Sequence, residues 1–180
     1  MIVDEAYLKA QIRTVSDWPE PGIQFRDVTT LFENPKAWRS VMDSLIHRYM
    51  DVEFDRIGAL DARGFLMGSV LSYAMSKPLI LFRKKGKLPY NTVAQDYELE
   101  YGKATLEVHA DTIKKGDKVI LVDDLIATGG TLLAAGQLVR QLGGQILEAA
   151  AIINLPDLGG SKTLNEAGIP VFSLCEFEGD

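Results

Sequence analysis

Apolar residues recur with two different periods along the chain, and the changes of period mark out the elements. Residues 4–13 read as a short helix. Trp18-Pro19-Glu20-Pro21-Gly22 follows as a turn, because two prolines and a glycine do not fit a regular element. Asn34-Pro35 opens the next helix, with Asn34 as its cap and Pro35 at the first helical position. Trp38, Val41, Met42, Leu45, Ile46 and Tyr49 then repeat at helical spacing. Residues 56–60 form a short strand, 65–75 a buried helix through Phe65, Leu66, Val70, Leu71, Ala74 and Met75, and 79–82 another strand. The stretch 83–102 is polar, basic at its start and poor in period, and reads as a long loop. Residues 105–109 alternate and read as a strand.

Residues 118–122 are an apolar run that suits a central strand covered on both faces. A helix over 131–142 follows through Leu132, Ala135, Leu138, Val139 and Leu142, closed by Gly143-Gly144. Strands at 146–155 and 170–174, with a short helix around 162–166 between them, finish the chain. Repeated alternation of strand and helix predicts an α/β fold, with a mainly parallel central sheet flanked by helices. Ligands in such sheets bind at the carboxyl ends of the strands.

Composition narrows the class. A length of 180 residues suits one domain, with no repeat or linker to divide it. With 47% hydrophobic and 24% charged residues, the chain can bury a core without disulfides or a structural metal. Cys175 is the single cysteine, so no internal disulfide forms, in keeping with a reducing compartment. A net charge of −6 repels nucleic-acid phosphates over most of the surface. The first thirteen residues are mixed and charged, unlike a signal peptide. No apolar run approaches the roughly 18 residues of a membrane span. The expectation is a cytoplasmic protein that engages neither nucleic acid nor membrane.

The candidate chemistry begins where the central strand ends. Asp123-Asp124 stand beyond four apolar residues, followed by Leu125-Ile126-Ala127-Thr128-Gly129-Gly130-Thr131 and a helix. Gly129 and Gly130 let the backbone approach a ligand and take positive φ. Their amides, with those of Thr128 and Thr131, can converge on one anion at the positive end of the helix dipole. A phosphate fits the loop, and the acidic pair fits ribose hydroxyls or a hydrated magnesium ion. No Lys-Ser or Lys-Thr follows the glycines, which excludes a Walker A loop, and the G-x-G-x-x-G spacing of a Rossmann turn is absent.

The run from Val119 to Thr131 resembles the phosphoribosyl-diphosphate signature of the type I phosphoribosyltransferases, in the form carried by those that use adenine. The resemblance implies that fold, with an N-terminal hood over 1–34 and a flexible lid over 83–103, in a single domain spanning 1–180. It puts the 5-phosphate on Ala127, Thr128, Gly129, Gly130 and Thr131, and the ribose beside Asp123 and Asp124. Asp61-Ala62-Arg63-Gly64-Phe65, between a strand end and a helix start, resembles the family's diphosphate loop, with Ala62 and Arg63 in contact. Arg83, Lys84 and Lys87, cations in an acidic chain, match further diphosphate contacts. Pro21-Gly22-Ile23-Gln24-Phe25-Arg26-Asp27 resembles the adenine-binding segment: Phe25 would wall the purine, the backbone at Arg26 would read its amino edge, and Leu125 would border it. In Glu98-Leu99-Glu100-Tyr101-Gly102, Glu100 matches the acid that handles the purine proton, and Tyr101 a residue near ribose and diphosphate.

The implied reaction is purine salvage: adenine and 5-phosphoribosyl 1-diphosphate give AMP and diphosphate. Mg2+ would be carried by the donor and water, without direct side-chain ligation, and the enzyme would be a homodimer. Two other readings remain at this point: a relative using another base, and a regulator with this fold that also binds nucleic acid. The second needs a wide basic face or an added DNA-binding element. His47 and His109 have no metal-ligand spacing, Cys175 reads as a buried thiol, and Trp18 and Trp38 read as packing residues.

Overall fold

The computed structural model describes residues 3–98 and 102–179. Its centre is strand β7 (Lys118–Ile126), in which Val119, Ile120, Leu121 and Val122 are each at most 1% exposed. Side chains alternate across a strand, so Ile120 and Val122 enter one apolar layer while Val119 and Leu121 enter the other. β3 (Arg56–Leu60) and β8 (Gln145–Asn154) flank β7, with β4 (Leu79–Lys84) beyond β3 and β9 (Val171–Glu176) beyond β8. These five strands are parallel.

Helices cover both faces, as the alternation required. One layer takes Leu8 of α1 (Glu5–Gln11), Leu31 of α2 (Thr29–Glu33), Val41 and Leu45 of α3 (Pro35–Tyr49), and Met67 and Leu71 of α4 (Gly64–Met75). The other takes Leu132, Ala135 and Leu138 of α5 (Gly130–Gln141) and Leu164 of α6 (Gly160–Glu166). The start of α3 follows the sequence signal: Asn34 Oδ1 accepts from the amides of Lys36 at 3.1 Å and Ala37 at 3.2 Å. No helix among the described residues is long and apolar enough to cross a membrane.

Several expectations give way. Residues 83–102 are not a long loop. β4 runs on to Lys84, and β5 (Thr92–Glu98) pairs antiparallel with β6 (Lys103–His109) at every residue, extending the sheet past β4. Val93, Gln95 and Tyr97 turn inward, but the polar Gln95 among them hides the alternation from a hydrophobicity reading. Thr105 Oγ1 donates to Asp96 Oδ1 across the hairpin at 2.7 Å. The first helix stops at Gln11, because Arg13 belongs to β1 (Arg13–Ser16), paired antiparallel with β2 (Gln24–Asp27). Asp17 closes that hairpin, its carboxylate accepting from the Gly22 amide at 2.7 Å. Trp18 is not packed away: it is 51% exposed, with its ring centre 4.5 Å from that of Phe25 in an edge-on arrangement. Trp38 does pack, against Phe32. In α4, Leu66 and Ala74 face outward rather than into the core, as does Tyr73.

Candidate active site

Strand lengths create the cleft. Pairing between β3 and β7 ends at Ala59 with Val122, yet β7 continues to Ile126 beside β8. Asp123 and Asp124 thus lie within the strand, not beyond it, because β8 keeps bonding on one side after β3 has stopped. The edge facing β3 is left open. The chain leaving β3 turns through a cis Asp61–Ala62 peptide bond and Arg63 into α4. A Cβ on Gly64 would lie 2.6 Å from the Val122 carbonyl oxygen, so only glycine lets the first turn of α4 rest against the acidic pair.

The resulting cleft of about 480 Å³ brings together most of the residues singled out from sequence. Asp123, Asp124 and Leu125 form one wall, and Ala127, Thr128, Gly129, Gly130 and Thr131 form its end. Ala62 and Arg63 line the cleft beside the acidic pair, and Lys84 joins them from β4. Sequence reasoning did not assign roles to Asp61, Tyr97, Ala104, Leu106, Ile126 and Leu132, which also line it. Tyr97 and Ala104 are cross-strand partners in the overlooked hairpin. The period-two inward turn of Val93, Gln95 and Tyr97 was the signal for them.

The acidic pair is not symmetric. Asp124 is 4% exposed, and its Oδ2 accepts from Arg63 Nε at 2.5 Å. Its amide donates to Asp123 Oδ1 at 2.9 Å. Burial, reinforced by the Asp124 charge, raises the Asp123 carboxyl well above the usual carboxylate range. Arg63 therefore balances Asp124, while Asp123 holds its proton to higher pH. Three acids, Asp61, Asp123 and Asp124, line the cleft, but among the described residues no three His, Cys, Asp or Glu gather to hold a metal ion.

At the loop, Gly129 has φ +80° and caps α5 in the left-handed conformation. Gly130 does not share the positive φ expected for it; it is the first helical residue. Its small size serves another contact, since a Cβ there would be 3.1 Å from the Glu98 carbonyl oxygen of the hairpin. The Leu133 amide bonds back to the Gly129 carbonyl, leaving the earlier amides of the helix facing the cleft end.

The other candidates lie apart. Neither Arg83 nor Lys87 lines the cleft, but Arg83 Nε donates to the cleft-lining Asp61 Oδ2 at 3.3 Å and its Nη1 to the Lys87 carbonyl at 3.2 Å. Glu107 Oε2 accepts from the Gly86 amide at 2.9 Å and braces the turn that carries these cations. Phe25 and Arg26 also stand outside the cleft. The Arg26 guanidinium donates to Thr14 Oγ1 at 2.8 Å and lies 4.4 Å from the Phe177 ring centre, so its side chain turns toward the chain's end. Glu100 and Tyr101 fall outside the described residues. His109 hydrogen-bonds the Pro89 carbonyl, and Cys175 is a buried thiol whose pKa burial pushes up to about 12.

A phosphoribosyl transferase domain matches residues 27–175. The adenine phosphoribosyltransferase of Pseudomonas aeruginosa is 59% identical over 177 residues, 98% of this chain and 97% of its own. The crystal structure of adenine phosphoribosyltransferase from Thermoanaerobacter pseudethanolicus superposes with a TM-score of 0.91 at 39% identity, covering 97% of this chain and 100% of that one. The enzyme from Saccharomyces cerevisiae, solved with an imino-altritol bisphosphate and adenine, gives 0.87 at 37% identity, covering 94% and 97%. The cleft at the end of β7 and these similarities agree: the chain belongs to the phosphoribosyltransferases, and within them to the adenine phosphoribosyltransferase family.

Proposed function

We propose that the chain transfers the 5-phosphoribosyl group from 5-phosphoribosyl 1-diphosphate to adenine, releasing AMP and diphosphate. The observation that carries this is the open edge of β7, where an acidic pair leads into an anion-ready helix start, with Arg63 and Lys84 lining the same cleft. The yeast relative, solved with adenine and a sugar-like bisphosphate, supports the base and donor.

In this reading, the amides and hydroxyls at Ala127, Thr128, Gly129, Gly130 and Thr131 hold the 5-phosphate. Asp123 and Asp124 take the ribose hydroxyls. The Ala62 backbone, Arg63 and Lys84 hold the diphosphate, with Arg83 and Lys87 adding positive charge from the neighbouring turn. Leaving-group departure develops positive charge on the ribose and negative charge on the diphosphate, and these cations stabilise the latter. Phe25, Leu125 and the backbone at Arg26 receive adenine. A side-by-side carbonyl and amide match its amino group and ring nitrogen, and hypoxanthine presents the reverse pattern. Glu100 accepts the displaced purine proton and Tyr101 borders the ribose.

Mg2+ fits the cleft as a passenger of the donor, with Asp61 and Asp124 able to accept hydrogen bonds from its waters; when bound it supplies charge to the leaving diphosphate. The chain works as one domain, with residues 1–34 as hood. Residues 83–103 cover the cleft and keep water out. The hairpin's approach to Gly130 supports that covering role. The enzyme acts in the cytoplasm as a homodimer, without nucleic acid or membrane partners. The exposed apolar side chains Leu66, Tyr73 and Leu81 on α4 and β4 support a second copy as the covering partner.

The test is direct: protein, Mg2+, donor and base are mixed, and nucleotide is followed by chromatography. AMP should form at least about a hundredfold faster than products from hypoxanthine, guanine or orotate, because mismatched buried polar groups are costly. Comparable rates with another base would remove the adenine assignment.

A further inference from the structure

Behind the phosphate loop, away from the cleft, lies the start of α6, where Gly159 and Gly160 stand side by side. The two glycines differ. Gly159 has φ +74°, and a Cβ on it would meet nothing within 4 Å. Gly160 needs no positive φ, but a Cβ on it would lie 2.2 Å from the Ala127 carbonyl oxygen, 2.6 Å from the Gly129 nitrogen and 2.7 Å from the Thr128 carbonyl carbon. These are backbone atoms, which cannot swing aside as a flexible side chain can. The contact is reciprocal: a Cβ on Gly129 would lie 2.9 Å from the Gly160 carbonyl oxygen. The Gly160 amide donates to the Ala127 carbonyl at 3.0 Å.

That hydrogen bond has a directional consequence. In a trans peptide unit the C=O and the following N–H point in opposite directions. The Ala127–Thr128 unit is not among the cis bonds of the chain. Fixing the Ala127 carbonyl on Gly160 therefore turns the Thr128 amide the other way, toward the cleft that Thr128 lines.

We infer that Gly160 is a positioning residue for the proposed phosphate site: its bare backbone seats against the loop, pins the Ala127 carbonyl, and so aims the Thr128 amide at the 5-phosphate. The inference rests on the reading of residues 127–131 as the phosphate loop. Gly160 does not line the cleft. Its neighbour Gly159 shapes only the turn into α6.

The experiment compares Gly160→Ala with Gly159→Ala, the latter straining the same turn without touching the loop. Gly160→Ala should raise the donor KM and the AMP Kd by at least about tenfold, as expected when a hydrogen bond to a charged group is lost. Its adenine KM, and the donor KM and AMP Kd of Gly159→Ala, should stay within about threefold of wild type, a change worth under about 1 kcal/mol. In the unmodified protein, the Thr128 amide resonance should shift when AMP is added, so an indifferent amide overturns the inference even if Gly160→Ala does not fold. Unchanged AMP affinity in Gly160→Ala, an equal loss in Gly159→Ala, or a Thr128 amide indifferent to AMP overturns the inference. Thr131→Ala separates it from the reading beneath: if that variant loses AMP affinity and Gly160→Ala does not, only the Gly160 role falls. If neither loses affinity, the phosphate-loop assignment falls with it.

Discussion

Asp123 and Asp124 are neighbours in sequence with opposite electrostatic circumstances. Asp124 is paired with Arg63, whereas Asp123 is raised by burial and by the charge beside it. A carboxyl whose folded pKa lies above its unfolded value binds more protons in the folded state. Its contribution to stability therefore falls as pH rises from about 4, the ordinary carboxylate value, toward the raised one. Asp123→Asn, which mimics the protonated form, removes that decline. Its melting temperature relative to wild type should climb as pH rises from about 4 toward the raised value, and level off beyond it. A constant difference across that range would show that Asp123 ionises as freely in the folded chain as in the unfolded one. Both residues were legible as site residues because two acids after an apolar run stand out. Their inequality was not, since it depends on Arg63, sixty-one positions away from Asp124 in sequence.

Elements show the same division. β3 and α3 announce themselves, the first by an apolar run and the second by the Asn34-Pro35 cap and its stripe. The β5–β6 hairpin does not, because it lines a polar cleft and its one inward side is interrupted by the polar Gln95 between Val93 and Tyr97. Missing it concealed Tyr97 in the cleft and the role of Glu107 in β6. Arg83, Lys84 and Lys87 were recognisable as cations, but what orders their turn is the Glu107 carboxylate on the Gly86 amide. Glu107→Ala should raise the donor KM by about three- to tenfold, the partial loss expected when one such hydrogen bond is removed from a turn near the ligand. Glu107→Gln keeps an oxygen acceptor and should restore most of the affinity. Equal donor KM values for wild type and Glu107→Ala in steady-state assays would dissociate the turn from donor binding.

At the scale of the whole molecule, the sequence of α4 reads as a buried helix, and a helix that is apolar nearly all round belongs in a core. In the single chain only part of it is covered. Leu66 is 45% exposed and Tyr73 89%, seven residues apart and so on one face, with Leu81 of neighbouring β4 at 37%. The mismatch between an all-round apolar sequence and a half-covered helix is resolved if a second copy covers the outer face, as the homodimer proposed above requires. No single-chain pattern reveals that, because periodicity reports burial without saying which chain supplies it. The face also bears on catalysis. α4 begins at Arg63 and Gly64, against the acidic pair, so a partner seated on α4 borders the cleft. Tyr73→Asp introduces a charge at the exposed position without disturbing the core behind it. Sedimentation at micromolar concentration should change from dimer to monomer, since a desolvated unpaired carboxylate costs several kcal/mol at an interface, enough to shift Kd by about a hundredfold or more. Turnover should fall along with the dimer fraction and recover as protein concentration is raised. A Tyr73→Asp protein that remains dimeric would move the interface elsewhere and leave the exposure of α4 without a partner.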